Sequence, residues 1–489
     1  MKLRDLLVDM PYLLDTRGDM DTEIASVTSN SREKTDRGVF FCIAGARFDA
    51  HSFAPQAVEN GCAALVVERY VDVPVPQVRV SNGRAAMARM AAAFYGHPAR
   101  QMKLVGVTGT KGKTTTTYML KSIMEQAGHK AGLIGTTGNM IGSRRLKGSL
   151  TTPDPIDLQR TLREMADEGV EMVSMEVSAH AIDMHRLDGL VFEAGCYTNL
   201  SQDHLDYFHT MENYFETKKR FFTGGMVRNA AVNADEETAS GLLKDLTCPH
   251  ITYGICAPAD LFARDIEITE DGVSFELQLQ GMHNVRVDLK MTGMFNVYNA
   301  MAAASCAMIL GVSAEDIKRG LESMQSVPGR IEMLPTHTPY RVILDYSHSP
   351  DALMNILKTL RQFAKGRVIA LFGCGGDRDQ LKRPIMGRIG GQLADLCILT
   401  SDNPRTEDPM KILAAIEEGI RPTGKPYVVI ENRREAIRHA LEIGREGDVI
   451  VLAGKGHENY QLVGTRSLPF CEREILEEAL SSRKEAKSL

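Results

Sequence analysis

Residues 104–117 read LVGVTGTKGKTTTT, and the reading of this stretch decides the fold. The run LVGV leads into a turn holding Gly109 and Gly112, and from Thr114 to Glu125 the apolar residues Tyr118, Met119, Ile123 and Met124 recur at helical spacing. A buried strand, a glycine loop and a helix start, in that order, aim several backbone N–H groups at a phosphate at the positive end of the helix. The common phosphate-loop pattern G-x-x-x-x-G-K-[ST] requires glycine six places before Lys113, where Val107 stands instead. The chemistry is still in place, because Lys113 is expected to reach the outer phosphates and the Thr114 hydroxyl to face magnesium. A bare strand-turn-helix corner would explain the glycines but not the run G-K-T-T. The nucleotide contacts expected here are Gly109, Thr110, Lys111, Gly112, Lys113, Thr114 and Thr115.

Outward from the loop, strand and helix patterns alternate. EMVSMEVS and GCYTNL read as strands, followed by the segment AAVNADE and the helical NVYNAMAAASCAMILG, and this alternation predicts a largely parallel sheet. Upstream, short strands precede a helix from Arg84 to Tyr95 that stops at Gly96 and Pro98. Downstream of SVPGR, residues 326–330, one arrangement occurs four times, an apolar strand running into a polar or glycine loop: RVILDYSHSPDAL, RVIALFGCGGDRDQLKRP, LCILTSDNPRTEDP and DVIVLAGKGHENY. Ligands of open α/β sheets bind beyond the carboxyl ends of the strands, so these loops are expected to meet at one crevice. The expectation is an α/β chain of three domains, residues 1–98, 99–328 and 329–489, with the charged tail from Glu472 as a surface helix.

Composition narrows the functional classes. A chain of 489 residues exceeds a single ordinary core, and 43% hydrophobic with 25% charged residues is globular. A net charge of −6 argues against a nucleic-acid coat, and the lack of tryptophan with 6% aromatics argues against base-stacking platforms. Nine cysteines without close CxxC pairs predict reduced thiols in a cytoplasmic protein. Neither a membrane-spanning apolar run nor a secretory pattern is read in the chain.

Three further residues carry candidate chemistry. Glu176 ends the apolar strand SMEVSAH, where a carboxylate holds magnesium or simply closes a strand, and position alone does not separate the two. His204 in SQDHLDYF is followed by Lys218 in FETKKRFF, which spacing alone reads as a solvated helix face.

Taken together, GTKGKTTTT, the HLD segment, GMFNVYNAMAAA, PGR and DYSHSPDAL resemble the Mur ligases and the related folylpolyglutamate synthetases. That resemblance implies a central P-loop-type mononucleotide-binding parallel sheet, flanked by an N-terminal UDP-binding α/β domain and a C-terminal Rossmann-like α/β domain. It implies ATP and magnesium, with Lys113, Glu176, His204 and Lys218 as the catalytic group. Lys218, rather than Lys219, is expected to take up carbon dioxide as a carbamate and so to become a ligand of a second magnesium, beside Thr114, Glu176 and His204 as metal ligands. An unmodified ammonium has no acceptor and ligates nothing. Asn299 is expected at adenine, Arg330 at the ribose or phosphates and Asp345 at the nucleotide ribose. Ser31 and Arg32 are expected near the UDP end, with Thr151, Thr152, Ser178 and Arg186 holding the sugar and peptide.

Within the family the resemblance is to members that extend a UDP-N-acetylmuramoyl dipeptide by either meso-diaminopimelate or L-lysine. The DNPR form favours meso-diaminopimelate: Arg405 suits a two-pronged contact with the distal carboxylate that lysine lacks, and Arg383 is a second candidate. Asp402, Asn403, Pro404, Gly454 and Glu458 are expected to complete that pocket, and His348 and His457 are candidates for the base that deprotonates the amine. The expected partners are the UDP-dipeptide and the diamino acid, with no nucleic acid and no membrane, in a monomer. L-lysine as substrate, and a nucleotide-driven switch that forms no bond, stay as alternatives.

Overall fold

The computed structural model describes residues 1–45, 48–146, 148 and 150–487. The first sheet sets strand Leu13–Arg17 beside Gln77–Val80, followed by Cys62–Val67, Gly38–Phe41 and Ser26–Thr28, parallel except for the first pair. Helix Gly83–Phe94, started by the Asn82 side chain accepting from the Ala85 N–H, packs its Ala- and Met-rich face on this sheet.

The second sheet has eleven strands, and its centre positions the site. Lys103–Thr108 lies between Met172–Glu176 and Ala194–Tyr197, parallel to both, with Val107 opposite Glu176 and Thr108 opposite Tyr197. The chain therefore leaves three adjacent strands at one edge, through the glycine loop, through Glu176 and through residues 198–204. Helices Lys113–Gln126 and Met294–Ile309 cover one face, while Pro155–Asp167 and Met211–Thr223 cover the other. The parallel expectation holds for the centre only. Leu261–Ile268, Val273–Leu279 and Val285–Leu289 form an antiparallel wing, and Asn139–Ile141 with Arg144–Leu146 another. The alternating burial along Val273–Leu279 is that of a strand with one face on the core.

In the third sheet the four strands read from sequence are neighbours, in the order Arg341–Asp345, Val449–Ala453, Val368–Phe372 and Leu396–Leu399, all parallel. Tyr427–Val429 and the antiparallel Glu332–Leu334 close its edges. The tail forms helix Glu472–Lys487, yet its first turn is not on the surface: Glu472, Ile475 and Leu476 are buried, because Arg433 and the apolar face of this sheet draw them in. Among the described residues no helix is long and apolar enough to cross a membrane.

Candidate functional site

The displaced glycine has a geometric cause. Val107 is an interior strand residue paired on both sides, so the turn begins only at Gly109. Gly109 (φ +148°) and Gly112 (φ +86°) lie where a side chain would be strained, and added Cβ atoms would come within 1.9 Å of the Thr198 hydroxyl and 2.5 Å of Asn299 Oδ1. The loop is clamped to the next strand end, since Lys111 N–H donates to Asn199 Oδ1 at 2.8 Å and the Thr198 hydroxyl donates to the Lys111 carbonyl at 2.7 Å. Lys113 Nζ donates to the Gly109 and Thr110 carbonyls at 2.8 and 2.9 Å. Burial pushes its pKa down to about 8. Lys111 pairs with Asp203 at 3.3 Å; burial opposes ionisation of Asp203, but Lys111 and nearby histidines hold its pKa well below the usual carboxylate range.

Glu176 is fully buried, accepting from Thr136 N–H at 2.8 Å and from the Thr136 hydroxyl at 3.0 Å. The Thr136 hydroxyl also meets that of Thr151, while the Thr152 hydroxyl donates to the Glu176 carbonyl at 2.8 Å. Ser178 N–H donates to the Thr152 hydroxyl and Arg186 to the Thr152 carbonyl. Four residues expected to hold one substrate thus gather around Glu176. Ser31 and Arg32 do not: the Ser31 hydroxyl donates to Gln56 of the short helix Ala54–Glu59 and Arg32 is exposed.

His204 adopts the left-handed conformation, φ +56°, at the start of the short helix Leu205–Phe208, and its ring meets the His180 ring edge-on at 4.8 Å. Burial lowers its pKa. Lys218, from helix Met211–Thr223, departs most from the solvated-face reading. It is 1% exposed, donates to the Gly109 carbonyl at 3.0 Å and lies 4.4 Å from the Tyr214 ring centre. Lys219 does follow that reading, pairing with Glu216 and Asp245. Burial, with Lys113 adding to it, pushes the Lys218 pKa well below the ordinary lysine value, toward the neutral amine.

Lys113, Thr114, Thr151, Glu176, Ser178, Asp203 and His204 line a cavity of about 620 Å³ that also takes in Asn299, Arg330, Asp345 and His348, whereas Lys218 lies outside that lining, against the Gly109 carbonyl. Arg330 donates to the Thr114 hydroxyl at 3.3 Å and lies 4.7 Å from the Tyr346 ring centre, so the third sheet's loops meet the nucleotide loop directly. Asp345 is fixed by the Ile331 and Ser347 N–H groups. Among the described residues no three His, Cys, Asp or Glu side chains converge to hold a metal unaided. The donors present are Thr114, Glu176 and His204, a set that fits magnesium when phosphate oxygens or an anionic cap on Lys218 complete it.

Beyond the cavity, Arg383 pairs with Glu407 at 2.8 Å, and Arg405 (φ +52°) donates to the Gly376 carbonyl at 2.8 Å. The Pro404 carbonyl packs on Gly376. Asp402 is buried against Gly454 (φ +119°), where an added Cβ would come within 2.4 Å of Asp402 Oδ2. Burial opposes ionisation of Asp402, yet Lys455 and Arg433 lower its pKa. Glu458 accepts from Tyr346 on one oxygen and from Asn403 and Lys455 on the other. Sequence reasoning missed Lys455, Tyr346 and the hairpin of Tyr460–Val463 with Arg466–Pro469. Only the lysine between two glycines in AGKGHE offered a signal.

Residues 107–307 match the Mur ligase middle domain, and residues 329–456 match the Mur ligase glutamate ligase domain. The chain is 43% identical over 483 residues to a UDP-N-acetylmuramoyl-L-alanyl-D-glutamate–2,6-diaminopimelate ligase of Clostridium acetobutylicum, covering 98% of this chain and 99% of that protein. It is 44% identical to the corresponding ligase of Caldanaerobacter subterraneus over 484 residues, 98% and 99% of the two chains. A solved structure of a ligase of the same name superposes with a TM-score of 0.70 at 30% identity, covering 99% of both chains. The MurF structure from Acinetobacter baumannii, at 21% identity and a TM-score of 0.69 over 98% of both chains, shares the fold.

Proposed function

The chain belongs to the Mur ligase family, and from that premise we propose that it is the ATP-dependent ligase joining meso-diaminopimelate to the D-glutamate side-chain carboxylate of UDP-N-acetylmuramoyl-L-alanyl-D-glutamate. The observation that carries this reading is the cavity in which the nucleotide loop, Glu176 and His204 meet the Asp345–His348 loop of the third sheet. Residues 1–98 are assigned to the UDP end, 99–328 to ATP and 329–489 to the amino acid, in cytoplasmic precursor synthesis.

The substrate carboxylate attacks the γ-phosphate, giving an acyl phosphate and ADP; the diamino acid's neutral amine then attacks the acyl carbon and phosphate leaves. ATP supplies the leaving group, so no protein nucleophile is needed, and catalysis rests on positioning and charge. Lys113 and the loop N–H groups hold the phosphates, while Thr151, Thr152, Ser178 and Arg186 hold the peptide substrate beside Glu176. Asn299 and Arg330 seat the adenosine. Magnesium, when bound, neutralises the phosphate oxygens; Thr114 and Glu176 would hold one ion, and His204 with carbamylated Lys218 a second. Lys218 suits that modification: a neutral amine adds to carbon dioxide, loses one proton and leaves an anionic oxygen beside the Gly109 turn of the nucleotide loop. Arg405, with Arg383, faces the distal carboxylate, and Glu458 the ammonium.

The test follows ADP release with ATP, the UDP-dipeptide and either meso-diaminopimelate or L-lysine. Turnover with diaminopimelate is expected. Turnover with lysine alone overturns the substrate assignment, and steady hydrolysis without the dipeptide overturns the ligase reading.

A further inference from the structure

Lys455 has no place in the chemistry above, yet its ammonium is fully buried at the point where three loops meet. Its three N–H donors find three acceptors: Asn403 Oδ1 at 3.0 Å, Glu458 Oε2 at 3.1 Å and the Tyr460 carbonyl at 2.8 Å. These belong to the DNPR loop, the AGKGHE loop and the following hairpin. Each contact has a consequence. Asn403 Oδ1, held by Lys455 and by Leu462 N–H at 2.9 Å, leaves only Nδ2 to turn toward Glu458, which it does at 3.0 Å. Glu458 Oε2 is then engaged by two donors, so Oε1, which among the described residues accepts from the Tyr346 hydroxyl alone at 3.3 Å, is the carboxylate oxygen left to receive a ligand. The hairpin anchored through Tyr460 in turn fixes Arg405, whose N–H donates to the Leu462 carbonyl at 3.0 Å and whose carbonyl accepts from Gly464 N–H at 2.7 Å. That pairing holds Arg405 in its left-handed conformation.

We infer that Lys455 is a positioning residue for the amino-acid pocket: its buried ammonium selects the Asn403 amide orientation, leaves one Glu458 oxygen free for the incoming ammonium, and locks the hairpin that aims Arg405 at the distal carboxylate. The inference rests on the proposed function for the identity of the ligand, but not for the geometry. Lys455 touches no reacting atom, so its loss acts on recognition of the diamino acid and leaves the nucleotide side alone. A purely structural role would instead weaken all three substrates together.

The test measures KM for diaminopimelate, for ATP and for the UDP-dipeptide, together with thermal midpoints, in the parent and in Lys455→Met, Lys455→Arg, Glu458→Gln and the charge-balanced Lys455→Met/Glu458→Gln. Lys455→Met is expected to raise KM for diaminopimelate tenfold or more with KM for ATP within twofold. Lys455→Arg, which keeps the charge but cannot satisfy the same three acceptors, should recover stability before it recovers that KM. The double variant should regain thermal stability and bind the diamino acid more weakly than Glu458→Gln alone, so that the added loss is read from Lys455 and not from Glu458, which also covers the case in which Lys455→Met does not fold. An unchanged KM for diaminopimelate in any folded variant, or a parallel rise in all three KM values, overturns the inference. Failure of the parent to turn over diaminopimelate is a different outcome and sinks the proposed function instead.

Discussion

At the scale of single residues, burial sets two neighbouring lysines apart and makes Lys218 the one proposed for chemistry. Lys219 reaches two surface carboxylates, whereas Lys218 one position earlier is enclosed and meets the Gly109 carbonyl and the Tyr214 ring. A desolvated cation beside Lys113 is destabilised, and a carbamate resolves that conflict by reversing the sign of the charge. Lys218→Ala is therefore expected to lower the ligation rate by about 10²–10³, the scale of losing one preorganised electrostatic group. Added short carboxylic acids should restore part of it and bicarbonate none, read as ADP release; full activity in the variant would remove the second-metal assignment. Arg405 makes a different kind of contribution, through the planar fork. Arg405→Lys keeps the charge but loses the paired hydrogen bonds, so KM for diaminopimelate should rise by about tenfold, the equivalent of about 1.4 kcal/mol, with KM for the UDP-dipeptide unchanged.

At the scale of elements, the site is made by strand ends whose order sequence does reveal and by clamps it does not. The glycine loop, the helix after it and the four strand-to-loop units of the third sheet were all legible, because buried strands and helix starts leave periodic and glycine signals. The antiparallel wings were not, because Val273–Leu279 carries polar residues that alternate with apolar ones and sits between helix patterns that imply crossovers. Among the site residues, Lys113, Glu176, His204 and Arg330 were legible and do share one cavity, while Ser31 and Arg32 stay apart from it. Lys455 and Tyr346 went unseen because their partners lie in other loops, far along the chain. The loop clamp yields a prediction: Gly109→Ala forces a Cβ into Thr198 at a strained φ, costing about 1–3 kcal/mol. Nucleotide affinity should fall at least tenfold in titration calorimetry while the far-ultraviolet circular dichroism is retained. A second prediction concerns the end of the third sheet, where Arg367 donates to Asp448 through its backbone and its guanidinium, and Arg445 N–H donates as well. Burial would raise the Asp448 pKa, but these donors hold it below 3.8. A carboxylate with a depressed folded-state pKa contributes stability above its unfolded value and loses it as pH falls through the folded one. Asp448→Asn should thus cost about 2 kcal/mol at pH 7 and much less near pH 3, measured as the shift in urea midpoint at each pH.

For the whole molecule, activity depends on cooperation among the three large sheets. The cavity is walled by loops of two of them, joined through Arg330 and Thr114, and the first sheet reaches the second through the Tyr12 hydroxyl, which donates to Asp188 at 2.7 Å. Asp188 is also 3.2 Å from His185, next to Arg186, so the first sheet's contact and one of the residues proposed to hold the peptide share one short segment. An acyl phosphate exposed to water would hydrolyse, and a cavity filled only when ligands from separate sheets are present excludes water at the step where it matters. Binding energy at each sheet is then coupled to the others, and linkage makes the coupling reciprocal. A non-hydrolysable ATP analogue is expected to tighten binding of the UDP-dipeptide and to be tightened by it to the same factor, with a smaller radius of gyration in X-ray scattering only when both are bound. Tyr12→Phe, which removes the donor to Asp188 and leaves the cavity walls intact, should reduce that factor without altering the affinity for the analogue alone. Equal coupling in Tyr12→Phe and the parent would show that the first sheet binds its ligand independently of the other two.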